Sequence, residues 1–172
     1  GQIYAATTPS PEIGALRGKM TVNAKSVSVK GKGKTIALPS ENDGICEILM
    51  DIDPGKAGSI SLTFSNDNGE KTVLTYAPNY ETLSFDRRES GIVDFSQDFP
   101  AITVTPTFNG GKTLPLRIFI DRSSMEVFAN DGKGVMTNLV FPTTPYSKLT
   151  FTTDGGSAKV KNVKVYSINI EK

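Results

Sequence analysis

No histidine and no tryptophan occur in the 172 residues, and cysteine occurs once, at Cys46. The missing histidine removes the side chain that titrates nearest neutral pH, and with it the commonest general base and metal ligand. Ser123 and Ser124 therefore have no imidazole to activate them as nucleophiles. A single cysteine cannot form an internal disulfide, and its place in the apolar run 45–50 makes it a small core residue. An excess of either charge is missing too. Nineteen basic and eighteen acidic residues leave +1, which offers no electrostatic footprint for nucleic acid or an anionic membrane. The densest basic run, Lys30-Gly31-Lys32-Gly33-Lys34, is interleaved with glycine, lacks phosphate-loop spacing and reads as a solvated turn. No apolar stretch reaches the length of a transmembrane helix, and the opening residues lack the pattern of a signal peptide. With no metal-ligand spacing and no cofactor fingerprint, neither a metal nor a cofactor is expected.

What the chain does have is short alternating stretches divided by turn residues. From Met20 onward, turn signals recur roughly every eight to twelve residues, as expected of an all-β sandwich. They include Glu41-Asn42-Asp43-Gly44, Asp53-Pro54-Gly55, Asn66-Asp67-Asn68-Gly69, Pro78-Asn79, Asn109-Gly110-Gly111 and Asp154-Gly155-Gly156. Between them, strands are predicted over 20–29, 35–38, 46–52, 59–64, 71–76, 82–85, 134–141 and 148–153. The apolar parity of the first changes between Ala24 and Val27. A strand over 101–108 is interrupted by Pro106, which suits an edge. The closing strand, 158–170, changes parity near Val163, which predicts a bulge there. Near the start, Ser10 as a cap and Pro11 at a first helical position suit a short helix over 11–17. Residues 1–18 thus read as a linker or N-terminal segment and 19–172 as the sandwich. Strands with one apolar face must pair two sheets face to face, so the expected fold is an all-β, two-sheet antiparallel β-sandwich.

The stretch 116–132 is the organising element. Leu116, Ile118 and Ile120 alternate with Arg117, Phe119 and Asp121; after Arg122-Ser123-Ser124, Met125, Val127 and Ala129 alternate with Glu126, Phe128 and Asn130. This is a hairpin closed by the strong turn signal Asp131-Gly132. The string Ile118-Phe119-Ile120-Asp121-Arg122-Ser123-Ser124-Met125-Glu126-Val127-Phe128-Ala129-Asn130-Asp131-Gly132 resembles the hairpin of the C-terminal β-sandwich of family 32 glycoside hydrolases: invertases, levanases, inulinases and fructanases. Leu83-Ser84-Phe85-Asp86-Arg87-Arg88-Glu89-Ser90-Gly91 resembles the family's upstream strand and its Asp-Arg-Arg-like turn. Residues 134–141 and 149–166 resemble its closing strands. The resemblance implies a concanavalin-like jelly roll and a five-bladed catalytic propeller N-terminal to it as the chain's own partner. It also implies an extracytoplasmic location: secreted, periplasmic or at the cell surface.

The family's catalytic motifs are not in this sequence. Cys46-Glu47 has Glu-Cys in the wrong order, and Ile52-Asp53-Pro54 lacks the arginine of Arg-Asp-Pro. Jelly-roll glycosidases of the retaining type need two carboxylates about 5 Å apart across a cleft. Asp51 and Asp53 share a strand face, and Asp121 and Glu126 could meet across the hairpin turn, but spacing alone is a weak signal. For binding, a fructosyl unit offers several hydroxyls, which carboxylates accept and arginine forks donate to. Asp86, Arg87, Arg88, Asp121, Arg122 and Glu126 supply such groups, and Tyr76, Tyr80 and Tyr146 could add ring contacts. The competing reading is structural: Asp121 caps the turn, and Arg122 pairs with Glu126 or Asp86. Three readings stand at this point: an accessory domain packed on a propeller, a module that holds fructan or fructose, and a free-standing enzyme. Phe119 and Phe128 are expected to be substantially buried, and a homodimer is left open.

Overall fold

Stretches such as Ser-Ile-Ser-Leu-Thr-Phe-Ser can bury a face only as strands. A period of two puts Ile60, Leu62 and Phe64 on one side and Ser61, Thr63 and Ser65 on the other. The computed structural model describes residues 3–31 and 33–169, so Gly1, Gln2, Lys32 and the predicted strand end at Ile170 lie outside the described residues. The described residues form twelve strands: β1 (Arg17–Lys30), β2 (Lys34–Ala37), β3 (Cys46–Asp53), β4 (Ser59–Ser65), β5 (Lys71–Ala77), β6 (Thr82–Glu89), β7 (Ile102–Pro106), β8 (Leu114–Ile120), β9 (Ser124–Ala129), β10 (Gly134–Leu139), β11 (Lys148–Asp154) and β12 (Ser157–Ile168). They make two six-stranded antiparallel sheets, ordered β1-β12-β3-β8-β9-β10 and β2-β11-β4-β5-β6-β7. This is the concanavalin-like jelly roll.

The core lies between the sheets. Ile48, Ile118 and Val127 from the first sheet face Leu62, Phe85 and Phe151 from the second, all with no exposed surface. Removing each such side chain from water stabilises the fold by about 1.5–3 kcal/mol. Cys46 is among these core residues, and burial pushes its thiol up to about 12, so it stays protonated and inert. The hairpin forms as its alternation predicts: Leu116, Ile118 and Ile120 pair with Ala129, Val127 and Met125, all buried.

Several local expectations are refined. The bulge near Val163 is present: β12 slips against β3 between Lys161 and Lys164, with Asn162 at φ 53°. The parity change in β1 lies opposite that slip, with Ala24 paired to Val163 and Val27 to Val160. β7 is an edge strand that ends at Pro106. The helix expected over 11–17 is a 3₁₀ helix, Pro11–Leu16, and Ser10 does not cap it; its hydroxyl bonds the Glu12 carboxylate. Asp86, Arg87 and Arg88 do not form a turn but lie within β6, beside a register slip against β5. Tyr76 and Tyr146 are buried, so neither offers a ring to a ligand. The Tyr76 hydroxyl donates to the Lys112 carbonyl at 2.9 Å, and the Tyr146 hydroxyl donates to the Ser90 carbonyl at 2.9 Å.

Candidate functional site

The outer face of the first sheet is where the hairpin displays its odd cargo. Antiparallel register sets outward side chains in rows. One row crosses Tyr166, Glu47, Phe119 and Glu126; the next crosses Lys164, Leu49, Arg117 and Phe128. Phe119 and Phe128 are half-buried here rather than in the core, with ring centroids 6.1 Å apart and planes perpendicular. Residues before β1 run along this face: the Thr7 N–H donates to the Gly132 carbonyl at 3.0 Å. Gly132, at φ 83°, is required twice, since an L side chain there would be strained and its Cβ would collide with the Thr7 carbonyl.

At the centre of the face sits Glu47, whose side chain has no exposed surface. Arg17 reaches it from the start of β1, with Nε donating to Oε2 at 2.5 Å and Nη2 to Oε1 at 2.8 Å. Arg117 donates Nε to Oε1 at 2.6 Å. The guanidinium of Arg17 lies 4.8 Å from the Tyr166 ring centroid, and that of Arg117 lies 4.9 Å from Phe119. Burial by itself would raise the Glu47 carboxyl, but the hydrogen bonds and charges of the two arginines outweigh it and hold it below the usual carboxylate range. A carboxylate held ionised in this way cannot act as a protonated general acid. Glu126 stands two strands away, about 10 Å at normal strand spacing, with Phe119 between. The arrangement is that of a clamp that ties the first strand of the sandwich to its central hairpin.

The six polar residues singled out from the sequence divide into separate local groups. Asp86 is engaged by Arg88, with Nη2 to Oδ2 at 2.7 Å and Nε to Oδ1 at 3.0 Å. That pairing, with lesser help from the Arg88 backbone N–H, holds Asp86 below its ordinary pKa. Arg87 turns away, donating Nε to the Phe99 carbonyl at 2.9 Å and stacking 4.3 Å above the Phe99 ring. These three belong to the second sheet. In the first, Asp121 caps the hairpin turn by accepting the Arg122 N–H at 2.7 Å. Arg122 pairs with neither Glu126 nor Asp86, but with Asp43 at 2.5 Å, across a solvent-exposed gap. Asp121 and Glu126 do share the wall of one small pocket, with Phe119 and Ser124. A larger pocket of about 330 Å³ lies where Thr7–Pro9 pass over Pro115, Phe128, Asp51 and Asn162; there Asn162 Nδ2 donates to Asp51 Oδ2 at 2.7 Å.

Sequence reasoning passed over Glu47 and Arg17. Glu47 interrupts an apolar run at an outward position, which was the available signal; its partners lie 30 and 70 residues away, so spacing could not find them. It also passed over the aromatic cluster of Phe95, Phe99 and Phe141, which residues scattered over a loop and a strand end do not announce.

Comparison with known proteins gives this geometry a setting. A family model described as "Glycosyl hydrolases family 32 C terminal" matches residues 12–167. A levanase from Bacillus sp. (strain L7) is 28% identical over 164 residues, which cover 94% of this chain and 18% of that protein. A levanase from Bacillus subtilis (strain 168) is 31% identical over 184 aligned positions, covering 96% of this chain and 25% of that protein. This chain therefore spans a quarter or less of the length of these curated relatives. Among solved structures, an exo-inulinase from Aspergillus awamori superposes with TM-score 0.79 at 22% identity, over 96% of this chain and 32% of that one. Fructan 1-exohydrolase IIa from Cichorium intybus gives 0.73 at 16% identity, over 97% and 38%. At those identities the structures establish the fold.

Proposed function

We propose, because this chain belongs to the C-terminal domains of glycosyl hydrolase family 32, that it is the non-catalytic accessory β-sandwich of a fructan- or sucrose-hydrolysing enzyme, packing on and steadying a catalytic domain N-terminal to it. One observation carries the reading: nearly all of this chain aligns with levanases in which it accounts for 18% and 25% of the length. The site agrees with it. Glu47 is committed to two arginines, and Asp86 and Asp121 are committed to local hydrogen bonds, which suits scaffold rather than chemistry. An extracytoplasmic location belongs to the same reading, since one relative is named an extracellular exo-inulinase. Purified chain is expected to release no fructose from sucrose, inulin or levan. Sustained turnover abolished by Glu126→Gln or Asp121→Asn would overturn the assignment.

A second reading, a fructosyl-binding site, draws on the pocket shared by Asp121 and Glu126. A shallow, solvated site of that kind would bind with a dissociation constant on the order of 0.1–1 mM. Calorimetric titration with levan oligosaccharides tests it: binding lost in Glu126→Ala supports it, and no heat at millimolar ligand removes it.

A further inference from the structure

Asparagine followed by glycine is open to attack by its own backbone. With no Cβ on the glycine, the glycine nitrogen can reach the asparagine Cγ. Two such pairs occur here, Asn68-Gly69 and Asn109-Gly110. Each sits in a turn with one long backbone bond: the Gly69 N–H on the Asn66 carbonyl at 3.4 Å, and the Lys112 N–H on the Asn109 carbonyl at 3.3 Å. Their side chains are held very differently. Asn109 is half-buried, and its Nδ2 donates to the Tyr76 hydroxyl at 2.7 Å and to the Lys112 carbonyl at 2.8 Å. Its Oδ1 accepts the Thr107 hydroxyl at 2.8 Å. The nitrogen that would attack it is taken as well, since the Gly110 N–H donates to the Glu81 carboxylate at 2.9 Å. Asn68 is exposed, the space around Gly69 is open, and the Asn68 amide is held from one side, with Nδ2 donating to Thr143 Oγ1 at 2.9 Å and to Thr144 Oγ1 at 3.4 Å.

We propose that Asn68 is a site of spontaneous deamidation, and that the reaction frees the connection 142–145 from the turn between β4 and β5. The Gly69 nitrogen gives up its proton and bonds to Asn68 Cγ. The Cγ–Nδ2 bond breaks, and the amide nitrogen leaves with that proton as ammonia. Water then opens the five-membered imide at either carbonyl, giving aspartate, or isoaspartate with one more carbon in the main chain. One water enters, one ammonia leaves, and nothing is oxidised or reduced. The consequence lies in a directed chain of bonds. Asn68 donates to Thr143 Oγ1, and Thr143 Oγ1 donates to Glu70 Oε1 at 2.7 Å. A carboxylate cannot donate, and the Thr143 proton is already committed to Glu70, so the bond is lost and a new negative charge stands near Glu70. The remaining ties run through the same turn: the Thr143 N–H donates to Glu70 Oε2 at 2.9 Å, and Asn66 Nδ2 donates to the Thr144 carbonyl at 2.8 Å. An isoaspartate shifts both. Residues 142–145 also wall the pocket of about 180 Å³ that holds Asp43, Asp121 and Arg122, so the change reaches the hairpin turn.

The test holds the purified protein in mildly alkaline buffer and follows peptides 57–71 and 89–112 by tandem mass spectrometry, with an assay for isoaspartate. In the folded protein Asn68 is expected to convert at least about tenfold faster than Asn109, because fewer hydrogen bonds must open. In denaturant the two rates should come within about twofold, since both asparagines precede glycine. Glu81→Ala frees the Gly110 N–H and should speed conversion of Asn109; Thr143→Ala releases the Asn68 amide and should speed conversion of Asn68. The comparison of the two sites in the parent protein decides the matter even if a variant fails to fold. The deamidated fraction, separated by its added charge, should exchange backbone hydrogens over 140–147 about tenfold faster than the parent. Equal rates at the two sites in the folded protein, or aspartate without isoaspartate at Asn68, would overturn the site. Unchanged exchange over 140–147 would overturn the release of the connection.

Discussion

Arg17→Met is the substitution that probes the Glu47 clamp most directly. Methionine keeps an aliphatic stem while removing the guanidinium and, with it, the contact that the guanidinium makes over the Tyr166 ring. Arg17 is the sole donor to Oε2 of Glu47 among the described residues, at 2.5 Å, and shares Oε1 with Arg117. Without it, one oxygen of a fully buried carboxylate has no partner. Breaking a buried ion pair from one side costs about 3–5 kcal/mol, and the one-third exposure of the Arg17 side chain places this case near the lower figure. At about 2–4 °C per kcal/mol for a domain of this size, the melting temperature should fall by about 6–12 °C at pH 7. Arg117→Met leaves the two Arg17 bonds in place and removes one bond to a charged group, so about 2 kcal/mol is expected. The pH dependence has a definite sign. The folded carboxyl is held below its ordinary value of 4.5, so the clamp's stabilisation is fully present above that pH and is lost as pH falls through the folded pKa. The gap between parent and Arg17→Met should therefore narrow in acid. Replacing all three charges, as Arg17→Met, Glu47→Leu and Arg117→Met together, should restore most of the loss, because an apolar substitute has no buried charge to leave unpaired. Thermal melts between pH 3 and 7 check each step. The reasoning fails if Arg17→Met melts with the parent at pH 7, or if Arg117→Met is the more damaging change.

Other outcomes follow from the same geometry. Tyr146→Phe removes a hydroxyl that donates to the Ser90 carbonyl and shares a 2.9 Å bond with the Thr72 hydroxyl, all buried; equilibrium denaturation should show a loss of about 1–3 kcal/mol. Phe119→Ala and Phe128→Ala remove half-buried rings, so each should cost about 1–2 kcal/mol, below the 3–5 expected of a core phenylalanine, and their double-mutant coupling should be about 0.5–1.5 kcal/mol for an edge-to-face pair. Arg122→Ala breaks an exposed pair with Asp43 and should change stability by less than about 1 kcal/mol; a larger loss would mean that the turn depends on that arginine.

The division between sequence and tertiary structure follows the range of the interactions. Alternation is local, so the strands, the hairpin 116–129 with its buried Leu116, Ile118 and Val127, the edge character of β7 and the bulge beside Val163 were all legible in the sequence. Asp121 as a turn cap was legible for the same reason, since its partner is the next residue. Side-chain partnership is not local. Glu47 lies beside Arg17 and Arg117 only because β12 and β8 flank β3, and Arg122 meets Asp43 only because a loop before β3 folds toward the hairpin turn. Parity puts Phe119 and Phe128 opposite the buried face, but a lone alternation cannot say whether the outward face meets water or another layer. The aromatic cluster is the furthest from the sequence. Phe95 and Phe99 come from the stretch between β6 and β7 and Phe141 from beyond β10, and their rings meet only when the two sheets close on each other.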